Sequence, residues 1–366
     1  MTRKLKTLST LLFTALSFVQ CQNYKILVGT YTRNTSSEGI YALKFDSKGV
    51  LKSKKLLAAS DNPSFLAFSP DKKFVYAVNE SGGQGFASAF SFDESQTTLT
   101  FLNQVPVLKG PCHISATNNH VFTANYSSGT ISLLGRWRDG TLTDTLQNII
   151  HPRKLFGQGR TGPSNAHQII QSPNRRFFMA TNLGTDRVFT YRYNPNNENE
   201  VLEYVDEIGV KRASGPRHMT FSQNGDYLYL VQELDASISV FHVAEDGKLS
   251  LIQETTLVTD ETKKNGAADI HLSPDGKSLY ATNRGEANTI TYFKVNEDGT
   301  LTYMEQYSTH GDAPRNFAVS PDGKYIFIGN QKTDNITVYK RDKRSGKLTF
   351  ISKDTELGAP VCLLFY

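Results

Sequence analysis

The sequence predicts an all-β fold, a seven-bladed β-propeller with four antiparallel strands per blade, on three observations. Thr, Tyr, Phe and Val are plentiful, while Gly, Asn and Asp cluster between short apolar runs, and beyond the first twenty residues no long run carries apolar side chains at helical spacing. Two hairpin motifs then alternate along the whole chain. Finally, half of a repeat stands at each end, so the ends complete one another.

The first motif reads strand, Pro/Asn/Asp/Gly turn, strand: "FLAFSPDKKFVYAVNE" at 65–80 recurs as "QIIQSPNRRFFMATNL" at 168–183, "MTFSQNGDYLYLVQE" at 219–233, "DIHLSPDGKSLYATNR" at 269–284 and "FAVSPDGKYIFIGNQ" at 317–331. A weaker copy runs from Ile114 to Tyr126. The anchor serines are Ser69, Ser115, Ser172, Ser222, Ser273 and Ser320. The second motif ends in Leu51, Leu99, Leu142, Leu202, Leu249, Leu301 and Leu348, giving seven outer hairpins for six inner ones. The missing inner pair is supplied by "YKILVGTYT" near the N-terminus and "APVCLLFY" at the C-terminus. The two terminal strands therefore share one blade, which protects the sheet edges of the ring, and residues 23–366 form a single domain.

Residues 1–22 read as an export signal: a basic start, an apolar stretch from Leu8 to Val19 too short to span a bilayer, and then Cys21. The segment is similar to a bacterial lipoprotein signal, with Cys21 as the lipidated residue and the periplasm or cell envelope as destination. Gln20 and Phe18 depart from that pattern. Of the formal charge of +5, three positive charges (Arg3, Lys4, Lys6) fall in this segment. The nearly balanced remainder excludes a nucleic-acid footprint. Cys112 and Cys362 read as packed thiols, since an exported domain of this size needs no disulfide framework.

Functional residues of a propeller occupy equivalent positions facing one mouth of the central channel. Ten residues after each anchor stands an amide, Asn79, Asn125, Asn182, Gln232, Asn283 or Asn330. A residue type present in every copy is expected to tie turn backbone together, with Asn125 also retained as a substrate contact. One residue later the column diversifies into Glu80, Tyr126, Leu183, Glu233, Arg284 and Gln331; five before the anchors it reads Ser64, Gly110, His167, Arg217, Ala268 and Arg315. His167, Arg217, Glu233 and Arg284 thus converge from three consecutive blades. His113 is expected in the channel, Arg315 and Arg160 as further substrate contacts, with Arg160 in a mouth-bordering loop at 157–165. His218, beside Arg217, is expected to point the opposite way, between blades. His271 reads as core, and His120, His151, His242 and His310 as surface or loop residues. No HExxH, CxxC pair, phosphate-cradling loop, nucleophile elbow or dinucleotide fingerprint is present, so no cofactor or metal is expected. Glu80 with Asn125 leaves open a carbonyl-rich cation site.

The ordered set "GPCHIS", "TANYSSGTIS", "NLGTDRV", "SGPRHMTFS", "VQE" and "NRGEANTI" resembles the lactonase family of seven-bladed propellers over essentially the whole chain after the signal. Bacterial members of that family include 6-phosphogluconolactonase, and fungal carboxy-cis,cis-muconate cyclase shares the fold. The resemblance implies hydrolysis of a sugar lactone to the aldonic acid by His167, Arg217, Glu233 and Arg284. The alternatives are a cyclase-type lactonizing isomerase and a non-catalytic binding propeller. Either His167 or Glu233 is able to serve as the base; the favoured division of labour makes His167 the acid/base, Arg217 and Arg284 oxyanion or carboxylate/phosphate donors, and Glu233 the group that fixes their geometry. Ala166 departs from the family pattern, where a proline commonly precedes the histidine. Export also conflicts with a phosphorylated, cytoplasmic substrate. A small-molecule lactone is the expected partner, nucleic acid is not, the membrane enters only through a lipid anchor, and the chain is expected to be a monomer.

Overall fold

The computed structural model describes residues 23–366 apart from 82, 153–154, 157–159, 162 and 198; the export segment with Cys21 lies outside the described residues. Seven four-stranded antiparallel sheets and one short two-stranded ribbon account for the strands, and no helix occurs among the described residues. Blade 1 pairs the N-terminal strands Leu51–Ala59, Gly39–Phe45 and Tyr24–Thr30 with the C-terminal Pro360–Phe365, as the complementary half-repeats predict. The inner strands of blades 2 to 7 are Pro63–Phe68, Pro111–Ala116, Ala166–Gln171, Pro216–Phe221, Ala267–Leu272 and Pro314–Val319. Together with Pro360–Phe365 they touch in a closed cycle around the channel.

The repeated motif has a local cause. Ser69 donates its hydroxyl to Asp71 (2.5 Å) while accepting the amide of Phe74 (3.0 Å), so the turn closes on its own side chains. Ser172 with Asn174, Ser222 with Asn224, Ser273 with Asp275 and Ser320 with Asp322 repeat the arrangement. The third turn position is left-handed, which suits Gly225, Gly276 and Gly323 and is adopted also by Lys72 and Arg175. In blade 3 the part is played by Thr117, whose hydroxyl takes the amide of His120, and not by Ser115. The blade 3 turn is two residues shorter, so the residue equivalent to His167 and Arg217 is Cys112 and not Gly110.

Blades pack face to face through apolar side chains, as where Phe122 and Phe178 of blades 3 and 4 meet 4.2 Å apart. A recurrent tyrosine reaches across to the outer turn of the next blade: Tyr76 to Gly140 O, Tyr229 to Gly299 O and Tyr280 to Gly346 O. Cys112 and Cys362 are buried free thiols. His120 and His151 are not surface residues. His120 is buried against Tyr193 (2.8 Å), and His151 is buried, stacked on Phe189 and bonded to Tyr191 and Asn182.

One departure from regular pairing positions the site. Every inner strand carries a register shift near its start: Pro63 and Phe65, Pro111 and His113, Ala166 and Gln168, Pro216 and His218, and Pro314 and Asn316 pair with consecutive partners, and blades 1 and 6 are irregular at the same place. Such a bulge leaves one extra residue and re-aims its side chain. The extra residues are Ser64, Cys112, His167, Arg217 and Arg315, with Val361 and Ala268 at the irregular steps.

Candidate active site at the channel mouth

The residue that follows each second strand is held by one repeated bond, its amide donating to a carbonyl just before the inner strand: Glu80 to Asn62, Tyr126 to Gly110, Leu183 to Asn165, Glu233 to Gly215, Arg284 to Gly266 and Gln331 to Ala313. Tyr31 to Ala359 completes the ring in blade 1. Tyr31 has no anchor serine to mark it. In "YKILVGTYT", matched to "KFVYAVNES" at 73–81, Tyr31 stands opposite Glu80, and that correspondence is the signal that marks it.

Bulge and ring together bring Arg217, Glu233 and Arg284 into contact. Glu233 Oε2 accepts from Arg217 Nε at 2.9 Å and pairs with Arg284 Nη2 at 3.0 Å. Arg217 is 1 % exposed and also donates to Ala268 O. Arg284 donates through Nε to Gly266 O (2.7 Å) and through Nη2 to Ala267 O (3.2 Å). Both guanidiniums are thus fixed by backbone and carboxylate, and each keeps one terminal nitrogen without a protein acceptor among the described residues. Burial would raise the Glu233 carboxyl, but the charges of Arg217, Arg284 and Arg315 outweigh it and hold it below its usual range. Burial, with Arg284 and Arg315 nearby, pushes Arg217 down to about 9, still charged at neutral pH.

Arg315 differs from the other two. Its guanidinium lies over the Tyr31 ring, 5.5 Å from the centroid, and no carboxylate pairs with it among the described residues. Tyr31 in turn donates to Glu80 Oε2 at 2.8 Å. Three arginines therefore face two carboxylates, Glu80 and Glu233, leaving one positive charge uncompensated.

His167 lies beneath this group, buried, with the Tyr126 ring edge-on at 5.7 Å and the His218 ring at 5.1 Å. Burial first, then the charges of Arg217, Arg315 and Arg284, hold its pKa well below the ordinary histidine value, so it is neutral at pH 7. Its Nδ1 is sealed from solvent and meets no hydrogen-bond partner.

Other expectations need correction. His218 does not point between blades: the bulge turns both Arg217 and His218 toward the channel, where His218 meets His167 and bonds Asp269 at 2.7 Å. Asn125 is fully buried, its amide donating to Thr130 and Ser132 and accepting from Thr123, so it ties its own blade together and is not a substrate contact. Among the described residues no cluster of three His, Cys, Asp or Glu side chains is placed to hold a metal ion. His113 does reach the channel, but in its floor, packed 4.3 Å from Phe65 and 6.0 Å from His218. His271 is only half-buried and bonds Asp269. Arg160 falls in the ribbon pairing Leu155–Phe156 with Arg160–Thr161, and its side chain lies outside the described residues.

Asp269 is the site residue that sequence reasoning missed. Its carboxylate is buried and accepts from His218, His271, Asn316 and the amides of Ile270 and Phe317. The signal was available: a lone carboxylate inside the apolar inner strand "AADIHL" is costly unless it is paired.

A closed ring of seven four-stranded blades, with an arginine-lined mouth over buried neutral histidines, defines the class: a seven-bladed β-propeller. Residues 25–365 match the family model "Lactonase, 7-bladed beta-propeller", and the chain belongs to that family. It is 32 % identical over 297 residues to 6-phosphogluconolactonase of Bacillus subtilis, covering 79 % of this chain and 83 % of that one. Among solved structures, the periplasmic gluconolactonase of Pseudomonas aeruginosa superposes with a TM-score of 0.88 at 34 % identity, over 94 % of this chain and 99 % of that one. A protein from Lactobacillus plantarum gives 0.86 at 33 % identity, over 94 % and 100 %.

Proposed function

We propose that the protein is an exported lactonase that opens a sugar lactone to the aldonic acid at this mouth. The observation that carries the reading is the Arg217–Glu233–Arg284 chain beside the unpaired Arg315, all above a neutral His167. The names of the relatives from B. subtilis and P. aeruginosa agree with lactone chemistry. Residues 1–22 with Cys21, and the periplasmic setting named for the P. aeruginosa protein, favour the cell envelope.

In this mechanism His167 takes a proton from a water whose oxygen adds to the lactone carbonyl. The free terminal nitrogens of Arg217 and Arg284 receive the oxyanion, preorganised because Glu233 and backbone carbonyls already fix both guanidiniums. When the tetrahedral intermediate collapses, the ring C–O bond breaks and the leaving oxygen recovers the proton. His167 suits both halves. It is neutral and so able to accept, and the surrounding arginines make its imidazolium a strong acid, quick to return the proton. Glu233, held ionised and engaged by two arginines, serves as the positioning group. Arg315 binds an anionic or hydroxyl substituent of the sugar.

Two variants test these roles. His167→Asn is expected to lower kcat by about 10²–10⁴-fold, the usual range for losing a general base, with KM little changed. Arg315→Met is expected to raise KM about 10-fold or more for a 6-phosphorylated lactone and less for the neutral sugar, since one charge-assisted bond contributes about 1.5–3 kcal/mol. Unchanged kcat in the first variant, or equal KM changes for both substrates in the second, contradicts the assignment.

A further inference from the structure

Below the mouth, the channel floor holds a polar chain that the mechanism above does not use. Asp269 Oδ2 is filled by three donors, Asn316 Nδ2 (2.6 Å), His271 Nε2 (2.9 Å) and the Phe317 amide (3.2 Å). Its Oδ1 takes the Ile270 amide (3.0 Å) and His218 Nδ1 (2.7 Å). A carboxylate saturated in this way only accepts, so the proton of the neutral His218 ring must sit on Nδ1. Nε2 then carries a lone pair, and this nitrogen is buried without a partner. The next ring is His167, 5.1 Å away and inclined at 69°, whose Nδ1 is likewise buried and unpartnered. Two orphaned nitrogens on adjoining buried rings are costly unless a proton is shared between them, directly or through a single water. Since His218 Nε2 can only accept, the donor is His167 Nδ1–H.

We infer that Asp269 sets the tautomer of His167 through His218, so that His167 presents the lone pair of Nε2 to the mouth. Asp269 and His218 are then positioning residues, acting on substrate only through His167. The remaining groups around His218 do not compete for its Nε2. Phe65 and His113 meet its ring at 5.9 and 6.0 Å, and His113 Nδ1 faces the Ile169 amide. Arg217 is turned to Glu233 and Ala268.

The catalytic consequence rests on His167 being the base, whereas the tautomer assignment does not, and Asp269→Asn separates the two. In that variant the three donors at the Oδ2 position hold the amide oxygen there, leaving the NH₂ to face His218. His218 Nδ1 must then accept, its proton moves to Nε2, and His167 switches in turn to the Nε2–H form. Long-range ¹H–¹⁵N spectra of histidine-labelled protein read both rings, with His167→Asn identifying the resonance. The expected result is Nδ1–H on both rings in the native protein, Nε2–H on both in Asp269→Asn, and a kcat reduced about 10²-fold with KM unchanged. A switch of tautomers without loss of kcat supports the relay and removes His167 as the base. An Nε2–H tautomer at His167 in the native protein, or no response to Asp269→Asn, overturns the inference. The native spectrum decides even if the variant does not fold.

Discussion

Glu233→Ala is expected to lose stability by about 3 kcal/mol together with nearly all activity. The substitution leaves Arg217, 1 % exposed, and Arg284 facing each other with no counter-charge, and breaking one partner out of a buried ion pair costs about 3–5 kcal/mol. The lower end applies because the Glu233 side chain keeps a quarter of its surface open to solvent. The backbone acceptors Gly266, Ala267 and Ala268 remain, so the arginines stay tethered but repel. Urea unfolding of Glu233→Ala, Arg217→Met and the double variant separates charge from packing. The double variant is expected to be more stable than the sum of the single losses, and to remain inactive. A loss under about 1 kcal/mol for Glu233→Ala, the level of an exposed pair, contradicts a buried catalytic charge cluster.

Lowering the pH from 8 to 5 is expected to cost still more. His151 and His218 are pushed down by burial to about 3 and about 4, and His113 and His167 are lowered well below the ordinary value for the same leading reason. Each takes up its proton in the unfolded chain near pH 6.5 but not in the folded one. The unfolded state therefore binds more protons as the pH falls below 6.5, and stability drops. At pH 5 His151 and His218 have each removed about 2 kcal/mol, since one unit of pKa difference is 1.36 kcal/mol, and His113 and His167 act in the same direction. His271 works against them: Asp269 raises its pKa despite burial, so its contribution is fully present below pH 6.5 and is lost as the pH rises through its folded value. With His120, lowered by burial as well, five losses stand against one gain, a large share of the stability of an ordinary domain, about 5–15 kcal/mol. The unfolding temperature should change little above pH 7, where only the His271 contribution is lost, and should fall steeply as the pH drops from 6.5 to 4.5. A flat profile down to pH 5 means that these histidines are solvated in the folded state.

The fold was legible because two periodicities had to be reconciled with one chain: seven outer hairpins against six inner ones left only closure by the termini. The convergence of Arg217, Glu233 and Arg284 was legible for the same reason, since equivalent positions in a repeat fall on one ring. What the repeat did not reveal is the bulge. Strict alternation sends Arg217 and His218 to opposite sides, whereas the extra residue lets both face the channel, and so His218 was misplaced and the Asp269–His218–His167 chain went unseen. The shortened turn of blade 3 displaced the column by two residues, hiding Cys112 behind Gly110, and Tyr31 escaped because its half-blade carries no anchor. Asn125 misled for the opposite reason, being a tie present in every copy that was also read as a ligand contact.

The most direct test of the central claim is a pH-stat measurement of acid release from δ-gluconolactone and its 6-phosphate, with the native protein and His167→Asn side by side. The mouth described above predicts hydrolysis well above the spontaneous rate for at least one of the two lactones, returning close to that rate in the variant. Spontaneous rates for both substrates with the native protein, or equal acceleration by the native protein and the variant, would contradict it.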